Sequence, residues 1–108
     1  MTPRTTFRHV KGPIRFAPEY LDLLLTGKKN TTVRLGIQIY SLGLVELTDG
    51  SRSISRDIGR LVVTSLGRLS QQDAANDGFA STDELLQALR RFYPEITPES
   101  VITVVHFD

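Results

Sequence analysis

Cysteine is absent from the 108-residue sequence. Its absence excludes a disulfide framework, a thiolate metal site and a cysteine nucleophile. The sequence also lacks any apolar run near the ~20 residues that a membrane-spanning helix needs. The first residues, MTPRTTFRHVKGP, contain no apolar segment of the kind found in signal peptides. We therefore expect a cytoplasmic protein of a reducing compartment with no membrane partner.

Several motifs of catalysis and metal binding are missing as well. The two histidines, His9 and His106, are far apart in sequence, and neither an HExxH motif nor a cluster of carboxylates accompanies them. A glycine-rich phosphate loop and a Ser-His-Asp order are also absent. We expect no metal and no cofactor.

Charge is distributed unevenly along the chain, although its formal net value is only +1. Residues 1–68 hold 11 of the 13 basic and 5 of the 12 acidic residues, a net of +6, whereas residues 69–108 hold 2 and 7, a net of −5. Such a dipole can orient a polyanion toward the basic half. A solvated surface with accidental clustering would give the same numbers, so charge alone does not define a function.

Two segments carry the signals of amphipathic helices. APEYLDLLLTG places Pro18 in a first helical turn and Gly27 at the end of the helix. STDELLQALRRFYP opens with a capping box formed by Ser81 and Glu84 and closes at Pro94. Three apolar residues share one face of this second helix: Leu85, Leu89 and Phe92.

Segments rich in β-branched residues predict the strands PIRF, TTVRL, IQIY, the two extended runs of LGLVELTDGSRSI, IGRLVVTSLGRL (Ile58–Leu69) and SVITVVHFD. Between two of them, Asp49 and Gly50 predict a two-residue hairpin turn. Strands with inserted helices indicate an α+β fold built on a small, curled or closed sheet with two or three flanking helices. We expect a basic arm over residues 1–12 and a single domain over residues 13–108.

The segment LTGKKNTTVRLG, residues 25–36, concentrates hydrogen-bond donors and candidate nucleophiles. Because Gly27 and Asn30 tolerate turns, we expect a loop over residues 27–30 and a strand from Thr31. Lys29 and Thr32 would point to opposite faces of a regular strand, so they converge only across such a loop or a bulge. Purely structural roles also fit this pattern, since lysines at a helix end interact favourably with the helix dipole.

The chain from Ile14 to Phe107 resembles an ASCH domain, a member of the PUA-like superfamily. The resemblance implies a small β-barrel with flanking helices and a cleft beside the Gly-Lys-Lys segment that binds RNA or modified nucleosides. It is carried by separate blocks in the order of the family: IRFAPEYLDLLLTGKKNTTVRLG, SLGLVEL, DAANDGFASTDELLQAL, FYP and VITVVHF.

One bacterial branch of the ASCH family hydrolyses N-acetylcytidine with a lysine, a threonine and a glutamate. The resemblance carries the lysine to Lys29 as base and the threonine to Thr32 as nucleophile. With a one-residue gap it carries the glutamate to Asp77, an orienting carboxylate that is one methylene shorter. A lysine is a base only when neutral, so burial or a nearby cation, Lys28 or Arg34, must lower its pKa.

Two hypotheses from different functional classes follow. In the first, the domain binds RNA or a modified nucleotide through a basic cleft. In the second, it is an amidohydrolase of acylated pyrimidine nucleosides that uses Lys29, Thr32 and Asp77. A third interpretation is a protein-binding module whose basic half contacts an acidic partner. For Asp77, a purely structural role is the alternative, in which its carboxylate accepts hydrogen bonds from local backbone N–H groups. The sequence indicates no particular oligomeric state. The binding hypothesis assigns ligand contacts to Lys28, Lys29, Asn30, Thr31, Arg34 and Tyr40.

Overall fold

The computed structural model describes residues 7–108. Residues 1–6 of the expected basic arm lie outside this range, and residues 7–10 of that arm form a strand. In chain order the elements are β1 (Phe7–Val10), β2 (Ile14–Arg15), α1 (Pro18–Leu25), β3 (Thr31–Leu35), β4 (Ile37–Tyr40), β5 (Gly43–Thr48), β6 (Ser53–Ser65), a 3-10 turn (Leu66–Arg68), α2 (Gln71–Asn76), α3 (Thr82–Phe92) and β7 (Val101–Phe107).

Five strands form one curled sheet in the order β2, β5, β6, β7, β3. β2 runs parallel to β5, and the other neighbours are antiparallel. A separate parallel pair joins β1 to β4. The long strand β6 has a bulge between Ile58 and Arg60, and such a bulge increases local twist and bends a strand. With three helices beside this sheet, the predicted α+β class is confirmed.

Both long helices predicted from the sequence are confirmed. α1 begins at Pro18 and is followed by Gly27, whose φ of 76° is in the left-handed region. α3 follows Ser81, whose hydroxyl accepts a hydrogen bond from the backbone N–H of Glu84. Phe92 shares a helix face with the buried residues Leu85 and Leu89, but it is 59% exposed in the last turn of α3, beside a cavity.

The turn between β5 and β6 differs from the prediction of a two-residue hairpin. Thr48 pairs with Ser53, so residues 49–52 form a four-residue connection. The Asp49 carboxylate explains the longer turn, because its Oδ1 accepts hydrogen bonds from the backbone N–H groups of Ser51 at 2.8 Å and Arg52 at 2.7 Å. Asp49 therefore organises the turn from its first position.

The core has two apolar clusters. The first packs α1 and β2 against the inner face of the curled sheet and consists of Ile14, Phe16, Leu21, Leu24, Tyr40, Leu47, Ile58, Val105 and Phe107. The second packs α2 and α3 against the other side of β3 and β7 and consists of Val33, Leu66, Ala74, Leu85, Leu89, Ile96, Ile102 and Val104. Within residues 7–108, no helix is long and apolar enough to cross a membrane.

Strand β3 lies at the seam between these clusters. Thr32 pairs with Val105 of the first cluster, whereas Val33 belongs to the second. Since side chains alternate along a strand, Thr32 and Arg34 face the first cluster and Thr31 faces the second. One short strand therefore sends polar side chains to both sides of the sheet, next to the loop that precedes it.

Candidate ligand-binding cavity

A cavity of about 140 Å³ opens where α1, β3 and α3 meet. Its wall combines aromatic and aliphatic side chains with a small group of charged and hydroxyl side chains. The lining residues are Arg15, Phe16, Ala17, Tyr20, Lys29, Thr32, Val33, Arg34, Asp77, Phe79, Leu85, Ala88, Leu89, Phe92 and Tyr93.

The loop between α1 and β3 carries Lys29 into this cavity. The positive φ of Gly27 ends the helix, and the backbone N–H of Lys29 then donates to the carbonyl of Leu23 at 3.1 Å. The next N–H, that of Asn30, donates to the carbonyl of Asn76 at 2.7 Å, which ties the loop to the end of α2. The predicted loop over residues 27–30 is confirmed, and it leaves Lys29 only 4% exposed.

Asp77 reaches the same point from the other direction, as the residue that ends α2. Its backbone N–H donates to the carbonyl of Ala74 at 3.1 Å. Gly78 follows with a φ of 89°, and a Cβ there would lie 3.1 Å from Leu23 Cδ1 and 3.5 Å from Lys29 Cβ. A glycine therefore allows the two loops to approach each other.

Lys29 and Asp77 form a buried ion pair. Lys29 Nζ lies 2.8 Å from Asp77 Oδ1, and the side chains are each 4% exposed. Nζ also donates to the Asp77 carbonyl at 3.3 Å, and it lies 5.6 Å from the ring centroid of Tyr20. The Thr31 hydroxyl donates to the same Oδ1 at 2.9 Å. Thr31 on β3 and Tyr20 on α1 therefore contact the Lys29–Asp77 pair, and the Lys29 amine has a fixed position.

Burial shifts the pKa of both members of the pair toward their neutral forms. It lowers the pKa of Lys29, which attraction to Asp77 opposes and the charge of Arg34 reinforces. It raises the pKa of Asp77, which Lys29 and the hydrogen bond from Thr31 oppose. Desolvation disfavours each charge, and the contact between the two charges offsets part of that cost.

Arg34 lines the cavity and is held by two contacts. One terminal nitrogen donates to the Arg15 carbonyl at 3.1 Å, and the guanidinium carbon lies 5.1 Å from the ring centroid of Phe16. Among residues 7–108, Arg34 Nε is the buried side-chain polar atom that has no hydrogen-bond partner. A buried donor without a partner is costly, so the position of Arg34 is not explained by its hydrogen bonds within the fold alone.

Aromatic rings line the path from the ion pair to the surface. The Tyr20 ring contacts Phe79 with centroids 6.2 Å apart and Phe92 with centroids 6.4 Å apart. Tyr93 also lines the cavity. These rings present flat apolar surfaces around the buried charges.

The structure brings some of the residues singled out from the sequence together and leaves others apart. One cavity is lined by Lys29, Thr32, Arg34 and Asp77. Thr31 is not among the lining residues, but its hydroxyl donates a hydrogen bond to Asp77. Three others are not lining residues. Lys28 and Asn30 are exposed, the Asn30 amide donating to the Gly27 carbonyl, and Tyr40 is buried in the first core cluster.

Sequence reasoning gave little weight to the aromatic wall. Tyr20 and Tyr93 line the cavity, whereas Tyr40, the tyrosine nearest the basic segment in sequence, does not. Phe79 lies two residues after Asp77, and Arg15 and Phe16 precede α1 directly. In the sequence, these residues are recognisable only as neighbours of helix ends. The fold then brings those helix ends together around one cavity.

Comparison with solved structures identifies the fold. The ASCH domain of Lactobacillus crispatus matches with a TM-score of 0.72 and 21% identity, covering 94% of this chain and 80% of that one. A hypothetical protein, PH0355, matches with a TM-score of 0.71 and 21% identity over 92% of this chain and 98% of its own. A mutant of ZmASCH from Zymomonas mobilis matches with a TM-score of 0.65 and 16% identity over 97% and 70%.

No family model matches the sequence, and no curated protein matches it. The structural matches nevertheless define the class of fold, because each extends over most of both chains. The chain has the small PUA-like fold of ASCH domains, as the resemblance in sequence implied.

Proposed function

We propose that the cavity binds the base of an RNA nucleotide or of a modified nucleoside. Its size supports a single-ring ligand, because a cavity of about 150 Å³ is known to hold one benzene ring. At about 140 Å³, this cavity accommodates a six-membered ring and leaves the ribose at its mouth. A pyrimidine base therefore fits better than a purine.

The observation that carries the proposal is the placement of buried polar groups in an apolar, aromatic wall. Binding pockets for small molecules typically have a few fixed polar groups in such surroundings. The aromatic side chains of Phe16 and Tyr20 suit a flat heterocycle, and the charged guanidinium of Arg34 lines the same cavity. The exocyclic and ring acceptors of a pyrimidine supply the complementary groups.

Titration of the protein with nucleosides tests the proposal. The panel is cytidine, N-acetylcytidine, uridine and adenosine, with binding followed by calorimetry and by NMR shifts of Tyr20 and Phe79. We expect at least one pyrimidine nucleoside to bind more tightly than adenosine, and Arg34→Gln to weaken that binding about tenfold, as loss of a charge-assisted hydrogen bond does. Arg68→Gln, on an exposed turn, is the matched control. Absence of binding by every nucleoside would contradict the proposal.

Amide hydrolysis is a second candidate, favoured by one specific observation: Lys29, Thr32 and Asp77 line the same cavity. The Thr32 hydroxyl would attack the acyl carbon while the neutral Lys29 amine takes its proton. The carbon–nitrogen bond then breaks, and Lys29 returns that proton to the leaving exocyclic amine. Water cleaves the resulting acyl-threonine ester, which releases the carboxylic acid and restores Thr32. Asp77 would hold Lys29 in place.

Hydrolysis is tested by chromatographic detection of cytidine after incubation with N-acetylcytidine. Thr32→Val removes the nucleophile with little change of shape, and we expect it to abolish turnover while nucleoside binding persists. Thr64→Val, on β6 and outside the cavity lining, is the matched control and retains turnover. Binding of N-acetylcytidine without any release of cytidine by the unmodified protein would exclude this second candidate and leave the binding proposal intact.

A further inference from the structure

Phe92 is an exposed aromatic side chain next to the cavity. It lies in the last turn of α3, is 59% exposed, and borders the cavity. Other exposed apolar side chains, such as Leu44 and Val63, are not part of the cavity lining. The Phe92 ring contacts Tyr20, whose own ring lies beside Lys29. Phe92 therefore continues the aromatic wall from the buried pair out to the surface.

One arginine, Arg91, directly precedes Phe92 in the chain. It is exposed in the last turn of α3. Burial raises the pKa of the Tyr20 phenol, and the charge of Arg91 opposes that rise. Glu19 and Asp77 act on Tyr20 with the opposite sign to Arg91, and Asp77 is itself paired with Lys29. Arg15 also lines the cavity, but its guanidinium lies against Gly50 in the turn between β5 and β6, so Arg91 is the arginine next to Phe92.

We propose that the mouth of the cavity is a second subsite, which holds the nucleotide next to the one in the cavity. The subsite consists of Phe92 and Arg91. The neighbouring base stacks on the exposed face of Phe92, and the phosphate that links the two nucleotides contacts Arg91. The inference rests on the proposed function and narrows it: the ligand is a pyrimidine within a single strand of nucleic acid rather than a free nucleoside.

The combination of features favours a single strand over other partners. A free nucleoside uses the cavity but has no phosphate for Arg91 and no second ring for Phe92. An acidic peptide supplies the negative charge but leaves the ring-sized cavity unfilled. Aromatic faces next to cationic side chains are the usual means by which proteins bind single strands, because every base offers a flat face and every linkage a negative charge.

Three ligands of increasing length separate the parts of the subsite. The first is the nucleoside, cytidine or N-acetylcytidine. The second carries a 3′ or 5′ phosphate linked to an abasic ribose, and the third carries the same phosphate linked to adenosine. We expect affinity to rise at each step for one of the two directions. The step from nucleoside to phosphate reports on Arg91, and the step from abasic ribose to adenosine reports on Phe92.

Variants assign each step to its side chain. Phe92→Ala is expected to remove the gain from the second base, about 5-fold to 100-fold, the range measured for stacking on single aromatic side chains. Leu44→Ala, an exposed apolar truncation on β5, is its control. Arg91→Gln is expected to remove much of the gain from phosphate and to make binding of the phosphate-containing ligands less sensitive to salt. Arg90→Gln, in the same helical turn, is its control.

The possible results distinguish the second subsite from the proposal that the cavity binds one base. If nucleoside and dinucleotide bind with equal affinity, the second subsite is excluded and the cavity proposal stands. If the dinucleotide binds better but Phe92→Ala and Arg91→Gln change nothing, the subsite lies elsewhere and the inference is also overturned. If no nucleoside and no dinucleotide binds, both proposals fail.

Discussion

Two groups of ion pairs in this molecule have similar nitrogen–oxygen distances but differ in the exposure of their side chains to solvent. Arg52 lies 2.7 Å from Asp22 and 3.0 Å from Asp49. The Asp49 side chain is 4% exposed, but those of Arg52 and Asp22 are 45% and 61% exposed, so this group remains in contact with solvent. Lys29 lies 2.8 Å from Asp77, and both side chains are 4% exposed. A short nitrogen–oxygen distance is therefore common to both, and burial is what differs.

Burial gives the two groups different consequences. Exposed pairs contribute little to stability, because water already solvates their charges. The Arg52 pairs connect α1 to the turn after β5, which is a sufficient structural role. The Lys29–Asp77 pair loses that solvation, and apolar side chains would often stabilise such a site equally well. Its position in the cavity wall is consistent with a role in ligand binding rather than in stability.

The largest expected effect is that of Lys29→Met. Removal of the cation leaves the Asp77 carboxylate buried without its partner, and breaking such a pair typically costs about 3–5 kcal/mol. Urea unfolding at neutral pH measures this loss. Lys28→Met, at the exposed neighbouring position, is the matched control and is expected to change stability by less than about 0.5 kcal/mol. Similar small values for both variants would remove the distinction between the buried and exposed groups.

Arg52→Ala is expected to have a smaller effect, below about 1 kcal/mol, because the Arg52 cation is 45% exposed and already solvated. The same variant also loses the hydrogen bond from Arg52 to the Pro18 carbonyl. Urea unfolding at low and high salt separates these contributions, since salt screens exposed charges but leaves the backbone contact. A loss as large as that of Lys29→Met would show that exposure does not determine the energetics here.

The smallest effect is a pH dependence at Asp49. Hydrogen bonds from the backbone N–H groups of Arg52 and Ser51 lower the pKa of Asp49 from 3.8 to about 2. A carboxyl group with a lowered pKa in the folded state stabilises the fold above its unfolded pKa, and this contribution is lost as pH falls toward 2. Asp49→Asn should therefore be less stable than the parent at pH 6, with the difference shrinking as pH falls from 4 to 2. A difference that stays constant with pH would contradict the assignment.

Local signals in the sequence predicted the elements well. Pro18 and Ser81 mark the starts of two helices, and the residues after Gly27 form the expected loop before β3. These features depend on contacts within a few residues, which a sequence displays directly. The length of the turn at Asp49 was missed, because the carboxylate's hydrogen bonds to two N–H groups override the preference of Asp49 and Gly50 for a two-residue turn.

The site was less accessible to sequence reasoning. Lys29 and Asp77 are 48 positions apart, and only the family resemblance suggested that they act together. Their mutual contact depends on the close approach of two loops at Gly78, which no local pattern encodes. Helical periodicity placed Phe92 on one face with Leu85 and Leu89, yet those two leucines are buried and Phe92 is exposed. Periodicity identifies the apolar face of a helix but not how far the core extends beneath it.

The central claim is that the buried pair serves the ligand cavity rather than the stability of the fold. The double variant Lys29→Met/Asp77→Asn tests it most directly, because it removes both charges while the new amide oxygen still accepts the hydrogen bond from Thr31. Urea unfolding and nucleoside titration are measured on the same sample. We predict stability within about 1 kcal/mol of the parent, as for other buried pairs replaced by neutral groups, together with at least a tenfold loss of nucleoside affinity. Unchanged affinity for the nucleoside would contradict the claim.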